Sequence, residues 1–262
     1  MKRFSRILGI FLCIFVMLSV GCTAAHAEID VANAADGYFS VYYEGSGTLK
    51  MKVSVTVGGK TTYYSYVPGA KATYALEQGD GDYTIVLYRN LSGTRYQKVL
   101  SKQLSVTLKD ALAPYLASTC EITFSKDDAI GEKAAELCAD LTDRESKILA
   151  IYNFIAASFQ YDDVFADAVR RGAVKNYTPD TNGALEAGKG VCYDLSAVFA
   201  AMCRSQGIPC ALVKGYTEGG YHAWNLIRVN DAWAAVDVTA ATVQRTCAKS
   251  LSDCLAALPA IV

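Results

Sequence analysis

The sequence predicts an α+β chain in which a small N-terminal β-sandwich precedes a domain of helices followed by strands. Three observations carry this. Residues 36–110 alternate short runs rich in Tyr, Val and Thr with glycine-containing turns. After Pro114 the apolar residues recur at helical spacing instead. Beyond residue 220, two apolar strand-like runs flank Asn230-Asp231, a hairpin signal. The expected organisation is an export signal over 1–27, the sandwich over 28–112 and the helix-and-sheet domain over 113–262.

The elements follow in order. Lys2, Arg3 and Arg6 precede an uncharged apolar run over 7–20, too short for a comfortable membrane span, which predicts export. Ala25-His26-Ala27 has the small-x-small form of a signal-peptidase site, whereas Leu18-Ser19-Val20-Gly21-Cys22 resembles a lipobox that would anchor the chain in a membrane through a lipidated Cys22. Both readings stand. In the sandwich, Leu49, Met51, Val53, Val55 and Val57 alternate with polar residues before Gly58-Gly59, which predicts a half-buried strand and a hairpin turn. Further strands are expected over 61–67, 83–88 and 98–108, with turns at 79–82 and 90–93.

Helices are expected over 127–141 and 143–159, the second from Ile148, Tyr152, Ile155 and Phe159 on one face. Residues 176–190 read as loop from Pro179, Asn182-Gly183 and Gly188-Lys189-Gly190. A third helix is expected from Cys192 to Gln206, with Leu195, Val198, Phe199 and Met202 inward and Gly207-Ile208-Pro209 as its stop. Strands follow over 221–229 and 232–238, and the tail over 247–262 reads as a weak helix ending at Pro259.

Composition narrows the function. With 25 Lys+Arg against 26 Asp+Glu, the chain lacks the basic footprint of a nucleic-acid binder. There is no C-x-x-C pair and only two histidines, which speaks against a structural zinc site and a disulfide oxidoreductase. No carboxylate-rich loop suggests calcium, so neither metal nor cofactor is expected. Seven of the nine cysteines lie beyond the signal region: one free thiol with up to three bridges fits that number, and so do unbridged buried thiols at Cys138, Cys203 and Cys210.

The chemistry concentrates in three residues. Cys192 falls at a helix N-terminus, where free amides and the positive dipole end favour a thiolate and can donate to an oxyanion. His222 is the sole histidine beyond the signal region, and imidazole is the usual base near neutral pH. Alternation puts it on one strand face with Trp224, Leu226 and Arg228, while Asp237 shares the face of Trp233 and Ala235 and needs a partner in those apolar surroundings. An imidazole N–H would serve; backbone amides at the strand end are the alternative.

Several ordered motifs make these residues resemble a known family. The stretch Gly183 to Cys192, then Ser196, Phe199, Gly207-Ile208-Pro209, Gly215-Tyr216, His222-Ala223-Trp224-Asn225 and Trp233 to Thr239 are similar to the core of the transglutaminase-like superfamily. The resemblance covers about residues 120–240 and implies a papain-like α+β fold, its nucleophile helix packed on an antiparallel sheet, with Cys192 as nucleophile, His222 as base and Asp237 as its orienting partner. It implies a thiol enzyme acting on amide bonds through a thioester, by hydrolysis or acyl transfer, and the expected export points to protein, peptide or cell-wall amides as substrates. Gln160 and Tyr161 are the oxyanion candidates, by their place after a core helix. The segment after Thr239 departs from the family pattern and raises a second expectation, a catalytically silent surface module whose sheet lacks its last part.

Overall fold

The computed structural model describes residues 25–174 and 177–255. Seven strands build the N-terminal half: β1 (Ala27–Asp30), β2 (Tyr38–Tyr43), β3 (Met51–Val57), β4 (Lys60–Tyr66), β5 (Ala72–Ala75), β6 (Gly81–Ser92) and β7 (Arg95–Val106). They form a three-stranded sheet, β1-β2-β5, and a four-stranded sheet, β4-β3-β6-β7. Phe39, Val41 and Tyr74 of the first sheet share a core with Val53, Ile85 and Leu87 of the second, so the architecture is the expected sandwich. Gly58 and Gly59 both have positive φ, 55° and 79°, and close the β3–β4 hairpin with Val57 opposite Lys60. The expected strands over 83–88 and 98–108 lengthen into one twelve-residue pair, because the chain turns at Gly93 rather than across 90–93.

The second half holds α1 (Ala129–Cys138), α2 (Arg144–Ser158), β8 (Gln160–Tyr161), α3 (Asp163–Arg170), α4 (Thr181–Ala187), β9 (Lys189–Gly190), α5 (Cys192–Ser205), β10 (Cys210–Thr217), β11 (Gly220–Val229), β12 (Ala232–Val236), α6 (Val238–Gln244) and α7 (Leu251–Cys254). Asp143 caps α2: its Oδ1 accepts from the Ser146 N–H at 2.8 Å. Strands β10, β11 and β12 form an antiparallel meander, and α5 packs against β10 and β11. α5 is buried nearly all round, from Asp194 to Arg204. Ala197, Ala200, Ala201 and Cys203 fill the faces that one-sided periodicity leaves unassigned, which makes α5 the axis of the core rather than a surface helix. Each large side chain fully buried there, such as Phe199, contributes about 2–3 kcal/mol.

Three expectations are corrected. Within the segment read as loop, 181–187 is helix α4: Asp180 Oδ1 accepts from the Gly183 N–H at 3.0 Å and Gly188, at φ 61°, closes the other end. Strand β12 stops at Val236, and the next residues form α6. The tail helix is confined to Leu251–Cys254; Pro259 and the export signal lie outside the described residues. All seven described cysteines are free, with Cys138, Cys203 and Cys210 buried in the core as small apolar groups.

The two halves are tied by a buried cation. At the C-terminal end of α5 the fully buried Arg204 donates from Nε to the Cys210 carbonyl at 2.8 Å, from one terminal nitrogen to the Ala117 carbonyl at 2.7 Å and from the other to Glu77 of the sandwich at 3.2 Å. Tyr115 adds a hydroxyl bond to the Glu77 carbonyl at 2.9 Å.

Candidate functional site

The site is assembled at the other end of α5. Cys192 is its first residue and sits half-buried where the first amides of a helix have no intrahelical acceptor. The turn into the helix is fixed by Asp194, whose carboxylate folds back to accept from the Val191 N–H at 2.9 Å. That approach requires glycine at 190, because a Cβ there would stand 2.5 Å from the Cβ of Asp194. Burial pushes the Asp194 carboxyl up to about 6, against the lowering effect of the Val191 bond.

His222 reaches the thiol from β11. The β10–β11 register sets it opposite Gly215, and its ring stacks 6.2 Å from Trp224 on the same strand face, as alternation requires. Two buried polar side chains weld this strand to α5. Ser196 Oγ donates to the Ala223 carbonyl at 3.1 Å, and Asn225 Nδ2 donates to the Ser196 carbonyl at 3.0 Å and the Ala211 carbonyl at 3.3 Å. These bonds fix the height of His222 along the helix, a positioning role not read from the sequence although both residues stand in its motifs.

Asp237 satisfies both partners proposed for it. Asn230 and Asp231, with φ of 47° and 60°, make the two-residue turn that sets Asn225 opposite Val236, so the next residue lies across from Trp224 and diagonal to His222 on the same face. Its Oδ2 meets His222 Nε2 at 2.8 Å, while Oδ1 accepts from the N–H groups of Thr239 and Ala240 at 2.9 and 3.4 Å as the N-cap of α6. Where the strand was expected to run on to Val238, the N-terminus of α6 holds the carboxylate. The hydrogen bond to Asp237, then that to the Cys192 sulfur, raise His222 to about 10. The carboxylate at Nε2 thus favours the protonated ring.

Cys192, His222 and Asp237 line one cleft of about 780 Å³. The oxyanion candidates separate: Tyr161 lines the cleft, whereas Gln160 is exposed and outside its lining. Burial, then the Cys192 sulfur, raise the pKa of the Tyr161 phenol, so it stays a protonated donor. Residues missed from the sequence complete the walls. α3 supplies Ala166, Val169 and Arg170, and the sandwich supplies Lys52, Tyr63, Tyr64 and Ser65. Glu121 accepts from the Tyr193 hydroxyl and pairs with Lys214, whose ammonium lies 4.7 Å from the Tyr193 ring centroid. Among the described residues no group of three or more His, Cys, Asp or Glu is placed to hold a metal ion.

Fold and site together define a protein with a thiol, an imidazole and a carboxylate aligned at a helix N-terminus beside an antiparallel sheet. Residues 132–238 match the model of the transglutaminase-like superfamily, so this segment of the chain is similar to that superfamily's domain. The kyphoscoliosis peptidase of Mus musculus is 27% identical over 135 residues, covering 47% of this chain and 19% of that protein. Its Homo sapiens counterpart is 32% identical over 121 residues, 40% of this chain and 17% of that protein. The match thus spans less than a fifth of these curated relatives. The periplasmic domain of TgpA from Pseudomonas aeruginosa superposes with a TM-score of 0.38 at 13% identity, over 84% of this chain and 98% of that one.

Proposed function

We propose that the protein is a thiol enzyme acting on amide bonds of peptides, proteins or cell-wall peptides. Cys192 attacks the amide carbonyl, the C–N bond breaks, and the leaving amine takes its proton from the His222 imidazolium. A thioester on Cys192 remains. Attack by water or a second amine, its proton accepted by His222, releases the acid or the new amide and regenerates the thiolate. The amides of the first turn of α5 and the Tyr161 phenol are the donors for the oxyanion. One observation carries the reading: His222, paired with Asp237 at 2.8 Å, lines the same cleft as the Cys192 thiol at the N-terminus of α5. Export, supported by the basic and apolar N-terminal segment, belongs to the same proposal and places the substrate outside the cytoplasm. Mass spectrometry of the mature N-terminus distinguishes cleavage from lipidation at Cys22.

The test is alkylation. Iodoacetamide is expected to modify Cys192 rapidly near pH 6, and His222→Ala to abolish that advantage; a Cys192 no more reactive than a free thiol in solution sinks the proposal and leaves the silent surface module. Incubation with a peptide library and a primary amine then separates the outcomes, since an added amine in the product means transfer and a free carboxylate means hydrolysis.

A further inference from the structure

The cleft does not end at the catalytic domain. Lys52 and Tyr63 line both it and a second cavity of about 410 Å³ on the sandwich, walled by Lys50, Lys52, Tyr63, Tyr88, Gly93, Thr94 and Tyr96. No carboxylate lines this basin. Among the described residues neither Lys50 nor Lys52 makes an ion pair, whereas Lys214, on the catalytic-domain side of the cleft, is paired with Glu121. The Lys52 ammonium is held instead between aromatic faces, 5.3 Å from the Tyr96 centroid and 5.9 Å from that of Tyr63. Tyr63 is 61% exposed, so this ring is presented to solvent rather than used as core. It belongs to β4, an edge strand of the four-stranded sheet whose residues Lys60 to Tyr63 are exposed. A strand edge offers unpaired backbone groups to another extended chain.

We infer that the sandwich is an exosite for the substrate: an extended polypeptide entering the Cys192 cleft lays an acidic flanking segment against Lys50, Lys52 and the tyrosines of the adjoining basin. The inference rests on the amide-bond reading above and adds to it the charge of the substrate. Two unpaired ammonium groups, a basin free of carboxylates and a continuous path to the thiol select carboxylates. The β4 edge favours a polypeptide over a glycan, because backbone pairing needs a partner with its own amides.

The experiment uses the full chain carrying Cys192→Ala and three peptides of equal length, flanked by Glu, Gln or Lys, with binding followed by fluorescence anisotropy. The Glu-flanked peptide is expected to bind about 10-fold more tightly than the Gln-flanked one at low salt, an advantage that shrinks as salt is added. In Lys50→Glu/Lys52→Glu the order of the Glu- and Lys-flanked peptides reverses. Circular dichroism confirms that this variant is folded, and Lys50→Gln/Lys52→Gln, which removes charge without reversing it, brings the three affinities together. Equal affinities in the parent chain, or an order that survives charge reversal, overturn the inference. So does binding of a polysaccharide that depends on both lysines while the peptides bind indifferently. Cleavage by the wild-type chain is scored separately: turnover with no acidic preference removes the exosite and keeps the enzyme, whereas lysine-dependent acidic binding without turnover removes the enzyme and keeps the exosite.

Discussion

Helix α5 carries a charged cluster at each end, and the two are built on opposite principles. At its C-terminal end Arg204 is fully buried, and each donor named above meets an acceptor fixed by another segment of the fold, Glu77 among them. At its N-terminal end His222 and Asp237 keep about a fifth of their side chains exposed and open onto a cleft of about 780 Å³. One cluster is closed and holds the halves of the molecule together; the other leaves the Cys192 sulfur accessible. The lesson is that burial alone does not mark a functional ion pair. A free coordination position for a reacting atom does.

That contrast can be broken from either side. The largest effect is expected from Asp237→Asn, which preserves an oxygen to cap α6 but removes the charge on His222. Turnover is expected to fall by about 10³-fold. The same change moves the alkaline limb of the pH profile. In the native chain the imidazolium persists up to about 10, so the rate should hold through neutral pH and fall as His222 loses its proton. Without the Asp237 charge that limb shifts down toward the ordinary histidine range, and a limb that stays in place removes Asp237 from the role. Stability follows the same sign. Because folding raises the His222 pKa, its contribution is complete below the ordinary imidazole value and is lost as pH rises through about 10, which thermal melts across that window measure.

The closed end is expected to respond differently. Arg204→Met leaves Glu77 without its cation and should lower unfolding stability by about 3 kcal/mol in denaturant titrations. Burial already raises the Glu77 carboxyl pKa against the lowering effect of Arg204, so removing the arginine raises it further. The deficit should therefore narrow in acid, where the carboxyl is neutral; a deficit independent of pH would mean that packing, not charge, is what Arg204 supplies. The smallest effect sharpens the comparison at the open end. Asp237→Ala, which removes cap and charge together, should be about 1 kcal/mol less stable than Asp237→Asn at equal turnover.

What could be read from the sequence was local. The β3–β4 and β11–β12 hairpins were legible because two-residue turns and period-two runs fix register within a dozen residues. Helix α5 was legible in extent, since Gly190-Val191 and Gly207-Ile208-Pro209 bracket it, but not in burial, because alanines carry no periodic signal. Seven-residue α4 was hidden by Asn182-Gly183, which reads as a turn until Asp180 is seen capping that glycine. Cys192, His222 and Asp237 were named by motif and placed by two ladders. The rest depends on docking between distant segments. Arg204 and Glu77 stand 127 positions apart, and nothing near Tyr63 in the chain announces that it lines the same cleft as Cys192.

The two oxygens of Asp237 turn about a single side-chain torsion. One grips the first turn of α6 and the other the imidazole, so neither can rotate without dragging its twin. The winding of α6 and the aim of His222 are thus one mechanical variable, and the segment after Val236 is a lever on the thiol rather than a tail appended to it.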